Sequence, residues 1–241
     1  MHATSEQSVS DRILRSRSEI SEHPPAGDYV VVDVTHFSTT VSELLGNGAA
    51  YVHITDERGD EFEFQERVPD TLIGGSKTEE YDPDPGYDFF NSPSYVQRLD
   101  VASQPTAMTS KNGGRAVTTL KNRGGDDVEV FVGGYTNAEA IAEYLQDRDR
   151  PTFIVAAGSG GEMTTDDMLG AVLIDRHLRD QPLSHAERAH FDVLLQAAKG
   201  PRYEEKHEIR QADLHEYATA INSRDVVPWL EGDKLVRAQD R

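Results

Sequence analysis

Residues 29–40 read YVVVDVTHFSTT, and residues 41–55 continue VSELLGNGAAYVHIT. Tyr29–Val34 is a continuous, mostly β-branched run, the kind of strand that is buried on both faces in a parallel sheet. Ser38 precedes an amphipathic stretch from Thr39 to Leu45, and Gly46-Asn47-Gly48 ends it. That pattern predicts an N-cap, a helix and a glycine stop. A second strand over Ala50–Ile54 completes a strand–helix–strand unit, which predicts a right-handed parallel crossover.

The same cadence of strand, Gly/Ser/Asn-rich turn and helix recurs downstream. Thr71–Ile73 runs into Gly74-Gly75, Thr106–Thr109 into Ser110–Arg115, Val128–Val132 into Gly133–Asn137, and Phe153–Ala157 into Gly158–Gly161. A helix is predicted from about Thr165 to Leu178, with two more over Ser184–Ala198 and Tyr203–Ile221. Asp56–Asp70 is charge-dense and reads as helical or irregular. Residues 76–93 read as a long loop of the kind that carries function. Val226–Leu230 with Lys234–Val236 reads as an edge strand. Residues 1–27 read as a polar extension, a short exposed helix or loose tail around Ile13, Leu14 and Ile20, and residues 28–241 as the folded domain. The expected fold class is α/β: a three-layer α/β/α arrangement with a mainly parallel or mixed sheet. Ligands in such sheets sit beyond the carboxyl ends of the strands. The turns at 33–40, 74–78, 109–115 and 158–167 are therefore expected to share one cleft.

Composition narrows the function classes. The 241 residues carry 43 acids against 24 bases, a formal net charge of −19, and no cysteine. Disulfides, thiolate zinc sites and a cysteine nucleophile are excluded. No apolar run approaches the roughly 20 residues of a membrane span, and the N-terminal stretch has no signal-peptide apolar region. This charge repels phosphate backbones, so nucleic acid is not an expected partner. A soluble cytoplasmic protein is expected, and the reading admits a homo-oligomer. Many carboxylates with only 6 Lys beside 18 Arg is the composition of a salt-in halophile, where salt screens self-repulsion. An ordinary acidic protein from a GC-rich genome is the other reading.

Several turn residues have chemical potential. Asp33 follows an apolar strand, where a carboxylate must be paired, bound to metal or exposed. It reads either as a Mg²⁺ ligand or nucleophile, or as an acceptor for turn amides. Ser38, Thr39 and Thr40 offer hydroxyls and helix-start amides to an anionic group, or plain capping by Ser38. His36 could supply a proton or a positive charge. Lys77, after Gly74-Gly75-Ser76, reads as a phosphate clamp or a solvated lysine. Lys111, Asn112 and Arg115 flank a turn that can form an anion nest or an ordinary Asn-Gly turn. Asp166 and Asp167 open a helix as metal ligands or as dipole-favoured acids. Mg²⁺ needs only one or two carboxylates plus phosphate oxygens. Cations, free amides and a few acids together suggest Mg²⁺-assisted phosphoryl chemistry. Neither a Walker-type nor a Rossmann-type glycine loop is present.

Taken in order, these turns resemble the 2-phosphosulfolactate phosphatase family of coenzyme M biosynthesis, as a divergent haloarchaeal-type member. Where the family has D-V-L-R-A-S-T-T, Asp33–Thr40 reads D-V-T-H-F-S-T-T. Its G-G-E-R turn corresponds to Gly74-Gly75-Ser76-Lys77, its G-N-S-P to Phe90-Asn91-Ser92-Pro93, and its T-T-N-G-T-R-A to Ser110–Ala116. Its G-S-x-x-N-A corresponds to Gly133–Ala138, and its A-G-x-x-G-x-x-S-x-E-D to Ala157–Asp167. Its D-V-V-P is unchanged at Asp225–Pro228. The resemblance spans about residues 29–236.

The resemblance implies a Mg²⁺-dependent phosphoric monoester hydrolase that converts 2-phospho-3-sulfolactate to sulfolactate and phosphate. Asp33, His36 and Asp167 are the expected catalytic residues, with Asp33, Asp166 and Asp167 as metal ligands. Ser38, Thr39, Thr40, Lys77, Asn112 and Arg115 are expected to bind a small anionic phosphorylated substrate. The family arginine in the first turn is His36 here, its Glu-Arg is Ser76-Lys77, and its Thr in the N-G-T-R turn is Gly114. Two other readings compete. One is a haloacid-dehalogenase-type phosphatase with Asp33 as nucleophile, weakened by Thr35 where that class has an acid. The other is a non-catalytic anion-binding or regulatory protein that retains the fold.

Overall fold

The computed structural model describes residues 12–200 and 203–240. In chain order the elements are β1 (Ile13–Leu14), β2 (Gly27–Val32), α1 (Thr39–Gly46), β3 (Tyr51–Thr55), α2 (Asp60–Arg67), β4 (Leu72–Gly75), β5 (Phe89–Phe90), α3 (Pro93–Val96) and β6 (Pro105–Thr109). There follow α4 (Gly113–Gly124), β7 (Val128–Gly133), α5 (Ala138–Gln146), β8 (Thr152–Ala156), α6 (Thr165–Leu178), α7 (His185–Lys199), α8 (Glu208–Ala212), β9 (Pro228–Glu231) and β10 (Lys234–Arg237). The strands form one sheet in the order β1-β8-β2-β7-β9-β10-β3-β6-β4-β5.

Strand β2 explains the layering. Tyr29 and Val31 join a core with α1 and α4 (Val41, Leu44, Ala116, Leu120). Val30 and Val32 join a second core on the opposite face with α5 and α6 (Ile141, Ile174). A strand covered on both faces needs apolar residues at every position, hence the unbroken run. On the far half of the sheet, α2 covers β4 and β6 through Phe64, Ile73 and Ala107. The result is the α/β/α arrangement with a mixed sheet.

The sheet holds two parallel blocks. Strands β1, β8, β2 and β7 are parallel to one another, as are β3, β6, β4 and β5. The β9–β10 hairpin joins the blocks by antiparallel pairing on each side, so the blocks run in opposite senses. The expected β2–α1–β3 parallel crossover is therefore corrected: α1 carries the chain from one block to the other. The expected edge strand near the C-terminus is corrected too, because β9 and β10 lie in the sheet's centre. Strand twist of roughly 20–25° per step accumulates over the five steps from β2 to β6. The blocks are thereby turned by on the order of 100°, and their C-terminal ends meet, as shown by Gly113 N donating to Asp33 Oδ2 at 2.9 Å.

The tail reading around Ile13, Leu14 and Ile20 changes as well. Ile13–Leu14 extends the sheet beside β8, and Ile13 and Ile20 are buried, because an added edge strand costs little once β8 is in place. Residues 1–11 lie outside the described residues. The helix expected over Tyr203–Ile221 is broken into α8 and a wide turn at Asp213–Ala218. Helix α7 starts as its sequence predicts, with Ser184 and Glu187 capping each other's amides.

Candidate active site

Strand β2 ends at Val32, and the chain turns wide over Val34–Ser38 before α1, with Ser38 N donating to Asp33 O at 2.9 Å. The helical path thus starts at Val34. Ser38 lies in helical geometry with no capping bond, and its Oγ accepts from Asp33 N at 2.9 Å. Ser38, Thr39 and Thr40 are all fully buried, and Thr39 Oγ1 donates to Val34 O. Of the three residues expected to bind phosphate, Ser38 and Thr39 hold the turn from beneath, while the Thr40 hydroxyl is buried without a hydrogen-bond partner. Within the turn only Asp33 and His36 keep part of their surface exposed.

Three aspartates converge there. Asp33 Oδ2 accepts from Gly113 N, an approach only glycine permits: a Cβ on Gly113 would lie 2.2 Å from the Phe37 ring and 2.9 Å from Asp33 Cβ. Asp166 Oδ2 accepts from Thr35 Oγ1 at 2.8 Å and pairs with Lys199 Nζ from the end of α7. Asp167 accepts from Val34 N at 2.8 Å, Gly158 N at 2.9 Å and Thr164 Oγ1 at 3.0 Å. Burial pushes the Asp33 carboxyl up to about 6, with the Asp166 charge adding to the effect. Burial, then the charges of Asp33 and Asp166, drive Asp167 well above the carboxylate range. Burial also opposes the charged form of Asp166, but Lys199 and Thr35 outweigh it and hold that group low.

Beside the acids lies a cationic compartment that turn-reading missed. His36 Nε2 faces Asp213 Oδ2 at 3.9 Å and Tyr203 OH at 3.5 Å. Burial first, then Arg210, Lys199 and Lys206, hold His36 well below its ordinary pKa, so it is neutral near pH 7. Asp213 is fully buried. It accepts from Ser92 Oγ and Ser94 Oγ at 2.6 Å, from Ser94 N at 3.0 Å, and from Arg210 Nη1 at 2.9 Å. Lys199, Tyr203, Arg210 and Asp213 come from the helical last third, far in sequence from Asp33. The available signal was Lys199, one of six lysines in so acidic a chain.

The remaining expected residues divide. Asn112 reaches the cluster, its Oδ1 accepting from Gly160 N at 3.3 Å. Lys77 stands at the rim, over the Tyr81 ring at 3.4 Å, and within the electrostatic reach of Arg210. Arg115 turns away: Nη2 donates to Glu57 at 3.1 and 3.2 Å, on the solvent side. Its guanidinium lies toward the β3–α2 loop rather than on the three aspartates, because α4 begins at Gly113 and the first helical turn sets position 115 on that side. Turns 33–40, 109–115 and 158–167 therefore meet, while 74–78 joins through the Tyr81–Arg210 contact. A cavity of about 200 Å³ beside His53 and one of about 450 Å³ beside Arg224 are lined by other residues.

Among the described residues, no three acidic or imidazole side chains group as a metal-holding set. A cation with one or two protein carboxylates fits a narrower set. The Asp166 charge disfavours ionised Asp33, while the Lys199 ammonium favours the ionised form of both acids, so a divalent cation held between the two carboxylates would take over the compensation that Lys199 supplies. Asp167 does not fit, since both its oxygens accept protein protons.

Acids at a strand end, amides beside them and cations on the far side define an α/β protein whose site suits small, multiply charged anions. Residues 15–232 match the model of the family described as 2-phosphosulpholactate phosphatase, and the chain belongs to that family. It is similar to proteins named "Probable 2-phosphosulfolactate phosphatase" from several bacteria. That of Clostridium botulinum (strain Alaska E43 / Type E3) is 25% identical over 223 residues, 86% of this chain and 90% of that protein. That of Caldanaerobacter subterraneus subsp. tengcongensis is 25% identical over 249 aligned positions, 97% and 95%. That of Deinococcus radiodurans is 32% identical over 154 residues, 62% and 60%.

Proposed function

We propose that this protein is a Mg²⁺-dependent phosphatase that hydrolyses a small anionic phosphoester of the 2-phosphosulfolactate type. The observation that carries this reading is the Asp33–Asp166 pair, held at the end of β2 with Lys199 beside it and Gly113 N–H on Asp33. Asp33 and Asp166 would hold the ion, which supplies charge neutralisation at the phosphoryl oxygens. The chain's own residues do the rest. Asp167 fixes the turn by pinning Val34 N to the Gly158 loop, so Asp33 presents its carboxylate without reorganising. Water attacks phosphorus, the ester bond breaks, and one proton passes from water to the departing alcohol oxygen. His36, neutral and facing Tyr203, can accept that proton, and a bound anion raises its basicity against the surrounding cations.

Two observations favour a second reading, a non-catalytic anion-binding or regulatory protein. Arg115 is engaged by Glu57, and histidine stands where the family pattern has arginine. Phosphate release separates the two. Purified protein is incubated with Mg²⁺ in about molar KCl with phosphosulfolactate, phospholactate and phosphoglycolate. Mg²⁺-dependent turnover of at least one is expected. Binding of these esters without release of phosphate would overturn the enzymatic reading.

A further inference from the structure

Lys77 and Lys206 are the two lysines on the cationic side that make no ion pair among the described residues. Asp84 and Glu79 lie within electrostatic range of Lys77 without pairing with it. Each lysine is held by an aromatic ring instead. Lys77 Nζ lies 3.4 Å from the Tyr81 centroid and donates to Thr78 O at 3.2 Å. Lys206 Nζ lies 5.0 Å from the Tyr203 centroid. Arg210 lies over the same Tyr81 ring at 5.7 Å, and His207 stacks on it at 4.6 Å. A cation on a ring face is positioned while its donors stay available, whereas one on a carboxylate is already neutralised. Tyr81 thus fastens the 76–93 loop onto α8, and Tyr203 links Lys206 to His36.

We propose that Lys77, Lys206 and Arg210 form a second anion subsite, which takes a carboxylate or sulfonate group that the substrate carries apart from its phosphate. The inference rests on the phosphoester reading above and assigns the specificity of that site. The two compartments divide the work: phosphate toward Asp33 and Lys199, the second acid toward the Tyr81–Arg210 side. Arg210 already donates to Asp213 and to Asn91 O. The two lysines therefore carry the discrimination, and removing either leaves no buried charge unpaired.

Lys77→Gln, Lys206→Gln and the double variant test this, with Lys234→Gln, a ring-held lysine remote from the site at 4.4 Å from Tyr51, as control. For phosphoglycolate, KM is expected to rise about tenfold per lysine, the scale of one charge-assisted hydrogen bond. KM for ethyl phosphate, which has no second acid, should move less than about twofold. Equal changes on both esters, or none, would overturn the subsite. Binding of sulfoacetate, a carboxylate–sulfonate without phosphate, is measured calorimetrically in parallel. If no ester is turned over, the phosphatase reading fails. Sulfoacetate binding lost in the double variant would still support the subsite, and absence of binding to the unmodified protein would overturn it.

Discussion

Replacing Asp33 by Asn should raise stability and abolish activity. The carboxyl titrates at about 6 rather than its ordinary 3.8 because burial and the Asp166 charge disfavour its ionised form. At 1.36 kcal/mol per pH unit, the ionised group carries on the order of 3 kcal/mol of penalty. Asp33 keeps part of its surface in water, and screening reduces this to about 1–2 kcal/mol. The sign follows from linkage: a carboxyl raised in the folded state favours folding below pH 3.8, and that advantage is lost as pH rises through about 6. Asparagine keeps an oxygen for Gly113 N–H and has no charge to bury. Thermal unfolding in EDTA and high KCl should show Asp33→Asn melting roughly 2–8 °C above the unmodified protein at pH 7.5. The gap should close toward pH 4. Turnover with Mg²⁺ should fall by orders of magnitude. A variant less stable at pH 7.5, or one retaining near-normal turnover, would refute the assignment of Asp33 as a strained functional acid.

Asp167→Asn should do the opposite to stability, because its amide cannot accept from Val34 N, Gly158 N and Thr164 Oγ1. A loss of about 1–3 kcal/mol in urea titration is expected. Lys199→Met leaves the buried Asp166 without its partner. The melting temperature should drop in EDTA and recover with added Mg²⁺, since a divalent cation can replace the ammonium charge; no recovery would argue against Asp166 as a ligand. Arg115→Ala removes an exposed pair with Glu57, so stability should change by under about 1 kcal/mol and KM by less than about twofold. A tenfold rise in KM would mean that Arg115 swings into the site. With a net charge of −19, melting should move upward between low and molar KCl as self-repulsion is screened; a flat or falling midpoint would count against a halophilic design.

Local chemistry makes the layers legible in the amino-acid sequence by itself. Within the run Tyr29–Val34 the four apolar positions before Asp33 leave no polar face, which marks a strand buried on both sides. Asp33 stands out at its end, where an acid is costly without a partner. The glycine-rich turns after the strands and the helix that opens at Ser184 are read in the same local way. Those signals act within a few residues, so they are written in neighbouring letters. What only the tertiary structure decides depends on where distant segments meet. The opposite sense of the two parallel blocks is set by the β9–β10 hairpin at the chain's far end, and nothing in β2 or β3 encodes it. The helix start at Val34 rather than Ser38 follows from Asp167, 133 residues away in sequence, taking the Val34 amide. Arg115 points to Glu57, and Lys199, Arg210 and Asp213 reach His36, only because α4, α7 and α8 are oriented by packing. Charges in a sequence state what must be compensated; which charge does it is fixed when the layers close.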